Sequence, residues 1–202
     1  MTTVTVSGSL FPYDYERLLY ESSLVVRATV ESKSEVFQIR PVSGGDVSNF
    51  SDYTMRISEV LSGNQQPGDA VSVRIQGGAT NDLNVIVEDA PSFQPGDDVL
   101  LFLYQPKAGS GYNTKGDYYY ILGLYQGAYY ATETNGKFVD KTGNQLLLRQ
   151  VAEDCSAGKA EEYDPREEYI SDLKNSLQNG NITQDEYNKY LQDLDVYAEI
   201  VD

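Results

Sequence analysis

Tyrosine is the residue type whose number and spacing point most clearly to a chemical role in this sequence. The chain carries 17 tyrosines, six phenylalanines and no tryptophan. Three tyrosines are consecutive at 118–120, and others follow at 125, 129 and 130. Aromatic rings at this density can stack on sugar rings or on a peptide. The candidate ligand-binding residues are therefore Tyr118, Tyr119, Tyr120, Tyr125, Tyr129 and Tyr130.

The same tyrosines can also be interpreted as core residues. Side chains alternate between the two faces of a strand. In a strand over 118–125, one face carries Tyr118, Tyr120, Leu122 and Leu124, and the other carries Tyr119, Ile121, Gly123 and Tyr125. The first face would then fill the interior of a β-barrel, and helices would cover the second. The sequence leaves both interpretations open.

Several kinds of catalytic chemistry have no basis in the residues present. The chain has no histidine, which excludes imidazole acid–base catalysis and histidine metal ligands. Its single cysteine, Cys155, follows two acidic residues that raise the pKa of a thiol. We expect no catalytic residues, no metal and no cofactor. A hydrolase that uses two carboxylates stays open as an alternative, since 31 acidic residues supply many pairs.

The charge balance limits the kinds of partner. Against 31 acidic residues stand 15 basic ones, a formal net charge of −16. This sign repels phosphate backbones, so we expect no nucleic-acid partner. No stretch approaches the roughly 20 apolar residues of a transmembrane helix, and we expect no membrane span. An acidic, tyrosine-rich, cysteine-poor composition favours a secreted or cell-surface bacterial protein whose signal peptide is absent from this sequence, with a cytoplasmic protein as the alternative.

The strongest structural signal lies at 99–104, where six consecutive apolar or aromatic residues follow a Pro95-Gly96 turn and two acidic residues. A short, continuous apolar run between turn signals predicts a strand that is buried on both faces. We expect one face, with Val99, Leu101 and Leu103, to point into a barrel. The other face, with Leu100, Phe102 and Tyr104, is expected to meet a covering helix.

Further patterns predict a mainly β protein with helices, in the α+β class. Alternation predicts strands over 24–33, 53–61, 70–75, 83–87 and 127–132, the first continuing bent to 39. Helical spacing predicts helices over 13–22 and 145–152. Asn135-Gly136 predicts a hairpin with a type I′ turn. Together these segments predict an OB-like antiparallel β-barrel, closed or nearly closed, as a domain over 1–155, followed by a C-terminal helical hairpin over 156–202.

The segments 24–30, 53–63 and 95–102, after a short helix, resemble those of netrin-like domains and tissue inhibitors of metalloproteinases. They are also similar to a class of uncharacterised secreted bacterial domains. The resemblance implies a barrel of the OB type. It does not extend to protease inhibition, because the inhibitory N-terminal cysteine and the disulfides of that family are missing here.

The C-terminal segment carries matched helix start and stop signals. Asp164-Pro165 starts a helix, Asn179-Gly180 ends it, and Thr183 with Glu186 forms a capping box for a second helix. The segment 170–187 resembles the short C-terminal helical hairpin called SHOCT, which implies a role in interactions. The residues expected to mediate them are Ile170, Leu173, Leu177, Tyr187, Tyr190, Leu191 and Leu194.

These observations together predict a non-enzymatic extracytoplasmic interaction module with a protein or polysaccharide partner. A carboxylate-dependent hydrolase and a structural domain of an envelope assembly are the alternatives. The sequence does not predict an oligomeric state.

Overall fold

The structure is a computed structural model and describes residues 1–6, 13–42, 44–106, 112, 117–158 and 165–191. The chain separates into two compact units, residues 1–159 and residues 160–202. The first unit contains all the strands named below, and the second contains helical segments. Among the described residues, no helix combines the length and apolarity needed to cross a lipid bilayer.

The described part of the chain is mainly β with helices, as expected. The strands are β1 (Thr2–Val6), β2 (Leu24–Lys33), β3 (Phe37–Ile39), β4 (Ser48–Ser62), β5 (Ala70–Gln76), β6 (Gly78–Ala79), β7 (Leu83–Val87), β8 (Asp98–Tyr104), β9 (Tyr120–Ile121), β10 (Ala128–Ala131), β11 (Lys137–Val139) and β12 (Gln145–Leu147). The helices are α1 (Tyr15–Glu21), a 3₁₀ helix (Leu124–Gly127), α2 (Leu148–Ala157), α3 (Pro165–Gln178) and α4, described over 184–191.

The strands form two sheets. The larger has the order β12-β11-β10-β8-β2-β4-β3, and β5 pairs with β4 while β9 pairs with β8. Its pairings between named strands are antiparallel. The smaller sheet has the order β1-β7-β6, and its β1–β7 pairing is parallel. The prediction had no strand at β1, and it continued the first strand to residue 39, where the structure has the separate β3.

The two sheets are not closed into a barrel, which corrects the expected closure. In the larger sheet, β5 pairs with β4 whereas β9 pairs with β8, so these pairings do not join β5 to β9. A single isolated parallel bridge joins Val73 to Tyr119. It contains hydrogen bonds from Arg74 N to Tyr119 O at 2.9 Å and from Tyr119 N to Ser72 O at 2.8 Å. Continuous closure fails because β9 is only two residues long and offers no ladder to β5.

The prediction that β8 is buried on both faces is confirmed, although the face with Val99, Leu101 and Leu103 belongs to a sheet that is not closed into a barrel. Its residues 99–103 are buried, and successive side chains enter two different core clusters. The first core cluster comprises Leu24, Val26, Ala28, Val30, Tyr53, Met55, Ile57, Val71, Val73, Phe93, Val99, Leu101, Leu103, Ile121 and Ala128. The second core cluster comprises Leu18, Val25, Leu100, Phe102, Leu122, Tyr129, Phe138 and Val151, with Tyr104 partly buried against it. Both clusters lie in the first unit.

Two helices cover the second cluster. Asp14 caps α1, because its Oδ1 accepts the Arg17 backbone N–H at 2.8 Å. Leu18 of α1 and Val151 of α2 are fully buried in the cluster. The hydroxyl of Tyr15 donates to Asp154 at 2.8 Å and so joins the two helices. The predicted helix over 145–152 is shifted, since 145–147 pair as β12 with β11 before α2 begins.

The hairpin at Asn135-Gly136 is present, but its turn differs from the prediction. Strands β10 and β11 pair antiparallel, and Lys137 N donates to Thr134 O at 3.0 Å. Gly136 has a φ of 75°, whereas Asn135 has no positive φ. A type I′ turn needs positive φ at both central residues, so this turn is closer to type II.

In the second unit, the predicted stop at Asn179-Gly180 and the predicted capping box at Thr183 and Glu186 are present, whereas Asp164, the predicted cap of α3, lies outside the described residues. Gly180 has a φ of 70°, and Asn181 N donates to Ser176 O at 2.8 Å, which is the Schellman arrangement. Thr183 N then donates to Glu186 Oε2 at 2.8 Å, and Glu186 N donates to Thr183 Oγ1 at 3.2 Å. This reciprocal pair is a capping box at the start of α4.

Candidate functional site

The structure divides the six candidate tyrosines into three groups. The predicted strand over 118–125 ends at Ile121, because Gly123 and Leu124 both adopt positive φ, at 58° and 56°. The alternation expected along 118–125 therefore does not hold. Tyr118, Tyr119 and Tyr120 lie near Arg74 or its strand β5, Tyr129 lies in the second core cluster, and Tyr125 and Tyr130 share a groove.

Two members of the first group, Tyr118 and Tyr120, lie beside an ion pair whose arginine is buried. Arg74 is 9% exposed, and its guanidinium makes two hydrogen bonds to Asp52, at 2.7 and 2.8 Å. The guanidinium also lies 3.7 Å from the centroid of the Tyr118 ring. Tyr118 is 1% exposed and meets Tyr120 edge-on. Burial raises the pKa of Tyr120, so its hydroxyl stays neutral. Tyr118 and Tyr120 are packed for stability here rather than presented as open stacking surfaces.

Two further tyrosines are engaged in the fold. The ring of Tyr119 packs against the first core cluster, and its hydroxyl accepts a hydrogen bond from Gln65 Nε2 at 3.2 Å. Tyr129 is 5% exposed and packs edge-on against Phe102. Burial, with a smaller effect from Asp140, raises the pKa of Tyr129 to about 12. Tyr129 therefore has little free surface for a sugar, and the ring of Tyr119 is partly covered by the core.

Tyr125 and Tyr130 line a groove of about 330 Å³ on the first unit, called here the Tyr125 groove. Its lining consists of Glu88, Ala90, Pro91 and Ser92 from the β7–β8 loop, and of Tyr125, Ala128, Tyr130 and Lys141. The volume is at the lower end of the range for small-ligand sites. The lining combines two aromatic rings and small apolar side chains with one acid and one base.

Tyr130 is fixed as one wall of the groove. Its hydroxyl donates to the Ser92 carbonyl at 2.8 Å, and its ring lies 5.6 Å from that of Phe93 in the first core cluster. Burial raises the pKa of Tyr130 to about 12. The ring is thus held by a hydrogen bond on one side and by the core on another.

Lys141 connects the polar side of the groove with the second ring. Its Nζ lies 2.8 Å from Oδ1 of Asp89 and 3.9 Å from the centroid of the Tyr125 ring. An ammonium group over a tyrosine ring is attracted by the negative face of the ring. The Lys141 side chain is 40% exposed and that of Asp89 is 32% exposed, so both remain accessible to a ligand.

The turn that carries Lys141 is held by one carboxylate. Asp140 is 6% exposed and accepts hydrogen bonds from the backbone N–H and hydroxyl of Thr142, both at 2.8 Å. It also accepts from the backbone and side-chain N–H groups of Asn144, both at 2.9 Å. Burial raises the pKa of Asp140, but these bonds outweigh burial and hold it below the usual carboxyl range. The turn therefore keeps its shape without a ligand.

The segment that carries Tyr125 shows backbone strain and a close approach. Leu124 has a φ of 56°, a left-handed conformation that costs a non-glycine residue about 1–2 kcal/mol. A Cβ at Gly127 would lie 2.5 Å from the Leu122 carbonyl oxygen, so only glycine fits there. Strained residues concentrate at binding sites, where the surrounding fold holds them. The 3₁₀ helix places the Tyr125 ring beneath Lys141.

The predicted interaction residues of the second unit are described in part. Leu173 is 7% exposed, while Ile170, Leu177, Tyr187, Tyr190 and Leu191 are partly buried. Leu194 lies outside the described residues. The residues that line the Tyr125 groove belong to the first unit only.

Other reactive groups do not add a site. Burial, then Asp154, raises the pKa of the Cys155 thiol to about 11, which keeps it protonated and poorly nucleophilic at neutral pH. Within the described parts of the chain, no group of three or more cysteine and carboxylate side chains is arranged to hold a metal ion.

Sequence reasoning included Tyr125 and Tyr130 but missed their polar neighbours. Asp89 and Lys141 are 52 positions apart, and only the fold brings them together. One local signal was available, because Asp140-Lys141-Thr142-Gly143-Asn144 has the composition of a tight turn held by an aspartate side chain.

Comparison with protein-family models, with curated proteins and with solved structures finds no match for this chain.

Proposed function

We propose that the protein is a non-enzymatic, extracytoplasmic interaction module, secreted or held at a bacterial cell surface, and that the Tyr125 groove is its binding surface. The observation that carries the proposal is that two tyrosine rings and Lys141 line one groove, while the ion-pair partner of Lys141, Asp89, lies next to the lining residues Glu88 and Ala90 in the sequence. Such a groove has little to rearrange before it binds, which reduces the entropic cost of binding.

A neutral polysaccharide is the partner that these groups suit best. The Tyr125 and Tyr130 rings offer surfaces for the C–H faces of a sugar ring. Lys141 donates hydrogen bonds and Asp89 accepts them, so together they match sugar hydroxyls, which do both. The net charge of −16 opposes an acidic polysaccharide at low salt.

A protein partner is the second candidate, and a different observation favours it. Over its described residues, the second unit comprises α3, a Schellman turn and a capped α4, and its predicted interaction residues there are buried or partly buried. Two helices alone bury too little apolar surface to persist in water. We therefore expect the apolar residues of these helices to bind another surface: Ile170, Leu173, Leu177, Tyr187, Tyr190 and Leu191.

We also propose that the first unit is related to the OB type of fold. Supporting this are the pairing of β2 with both β4 and β8, of β4 with β5, and of β8 with β9. The parallel bridge between Val73 and Tyr119 relates β5 to the segment leading into β9. OB-type folds bind oligosaccharides on their sheet surface and loops.

Titration with neutral oligosaccharides, such as glucan and mannan hexamers, tests the proposed binding. We expect shifts in the ring resonances of Tyr125 and Tyr130 and a dissociation constant measurable by calorimetry. Tyr125→Leu removes a stacking surface and should weaken binding by about tenfold. Lys141→Met should weaken it as well, since it removes the donor of the ion pair.

Lys33→Met is the matched control. The Lys33 ammonium also lies over a tyrosine ring, 5.3 Å from the Tyr53 centroid, but it does not line the groove. Its loss should leave binding unchanged. Undisturbed ring resonances with every sugar tested would rule out the polysaccharide proposal, and release of shorter sugars on long incubation would favour a carboxylate-dependent hydrolase instead.

A further inference from the structure

The N-terminal strand β1 is a second surface with the properties of an interface, separate from the Tyr125 groove. Its residues Thr2, Thr3, Val4, Thr5 and Val6 are all β-branched, uncharged and exposed. One edge pairs in parallel with β7 over five residues. Within the described residues, no strand pairs with its other edge, called here the outer edge. Exposed strand edges in soluble proteins are normally protected by charges, prolines or bulges, and β1 has none of these.

The hydrogen bonds of β1 show which backbone groups face outward. Thr2 N donates to Asp82 O at 2.9 Å, and Glu88 N donates to Val6 O at 3.3 Å. In a regular strand, the N–H and C=O groups of alternate residues point to the same edge. Thr2, Val4 and Val6 therefore point their backbone groups toward β7. Those of Thr3 and Thr5 point to the outer edge.

The side chains add an apolar surface to this edge. Val4 and Val6 pair with Val85 and Val87 in register, so these side chains share one face of the sheet. Val85 is 4% exposed, whereas Val4 is 44% and Val6 is 41% exposed. This face of the smaller sheet is thus buried at Val85 on β7 but exposed on β1.

We propose that a second copy of this chain pairs with the outer edge of β1, antiparallel, about a two-fold axis at Val4. Thr3 of each copy then exchanges two hydrogen bonds with Thr5 of the other, and the two Val4 residues lie directly opposite. Every cross-strand pair joins uncharged β-branched side chains, which favour strand pairing. Antiparallel pairing of two β1 strands brings no charged side chains together, so the strand is complementary to a reversed copy of itself.

The size of this contact sets the strength of association. Five residues from each copy bury far less than the roughly 1,200 Å² of a stable interface. Two chains of net charge −16 also repel each other, and salt screens that repulsion. The dimer is therefore weak, concentration-dependent and strengthened by salt.

Cysteine cross-linking tests the register in the full-length chain with Cys155→Ser. Val4→Cys places the two thiols opposite each other, within the Cα separation of 4.4–6.8 Å that a disulfide requires. Val6 has a similar exposure and lies on the same face of the sheet, but Val6→Cys places the two thiols four residues apart along the strands, roughly 13 Å. We expect mild oxidation at raised salt to give covalent dimer with Val4→Cys and much less with Val6→Cys. Equal yields, or no dimer with either, overturn the proposal.

Sedimentation of chains without added cysteines provides the second measurement. Thr5→Pro removes an outward N–H and leaves the bonds to β7 in place, as proline can do on an edge strand. Thr5→Ala retains that N–H and is the matched control. We expect the average mass of the wild type and of Thr5→Ala to rise with concentration and salt, and that of Thr5→Pro to stay at the monomer value. Association by Thr5→Pro equal to the wild type, or a wild type that stays monomeric, refutes the pairing.

Discussion

At the scale of single residues, the Tyr125 groove depends on how Lys141 is held. The four hydrogen bonds to Asp140 fix the turn, and the turn sets Lys141 between Asp89 and the Tyr125 ring. A long, flexible lysine otherwise loses rotamer entropy when it orders on a ligand. Here the fold has already ordered it.

Asp140 is expected to make the stability of the first unit depend on pH. Its folded-state pKa lies below the unfolded value of about 3.9. The stabilising contribution is therefore complete above that value and is lost as the pH falls through the folded pKa. The free energy of unfolding, measured in urea from about pH 6 to about pH 2, should fall more steeply in the wild type than in Asp140→Asn. Asp46→Asn, at an exposed loop position, should retain the wild-type profile, and identical profiles for all three chains would contradict this role of Asp140.

Of the residues that form the groove, sequence reasoning reached only the aromatic ones. Tyr125 and Tyr130 stood out by type and local density. Glu88 and Asp89 follow β7, and Lys141 follows β11, and nothing in their local sequence relates the two loops. Charge pairs of this kind arise from strand order, which local patterns do not encode.

At the scale of elements, β8 has a different core cluster on each face. Phe102 is fully buried in the second cluster, edge-on to Tyr15 at 6.3 Å and to Tyr129 at 6.0 Å. Truncation leaves a cavity between the sheet and α1 that neighbouring side chains cannot fill completely.

Phe102→Ala should destabilise the first unit by about 3–5 kcal/mol in urea unfolding. Val4→Ala, at an exposed strand position, is the control and should cost less than about 0.5 kcal/mol. An unfolding midpoint unchanged by Phe102→Ala would contradict the burial of β8 on both faces.

The elements that sequence reasoning located best have a simple periodicity over many residues. Strand β2 has the predicted bounds of 24–33 without the predicted continuation to 39, and β8 begins one residue before its predicted apolar run. The failure at 118–125 arose because the pattern of alternating side chains continues through Gly123 and Leu124, where the backbone turns. The strand β1 was missed because five residues are a short pattern and its pairing with β7 spans about 80 positions of the sequence.

At the scale of the whole molecule, both core clusters lie within residues 1–159. We therefore expect a chain that ends at Ala160 to keep the melting temperature of the full-length protein. Calorimetry of the two chains, with sedimentation to compare their masses, measures this. A lower melting temperature at constant monomer mass would make the C-terminal helices part of the first unit, and the proposal that they bind a partner would fall.

The pairing of β2 with β8 has a consequence for how the chain is made. Arg27 and Asp98 are diagonal neighbours across this pair, with hydrogen bonds at 2.6 and 2.9 Å, yet they are 71 positions apart. A ribosome adding roughly 5–20 residues per second needs about 4–14 s to make the intervening segment. During that interval the apolar β2 has no β8 to cover it, and β4 is the earliest partner that emerges. We therefore expect the central sheet to assemble from its β2–β4 side first and to gain β8 only after residue 104 has been made.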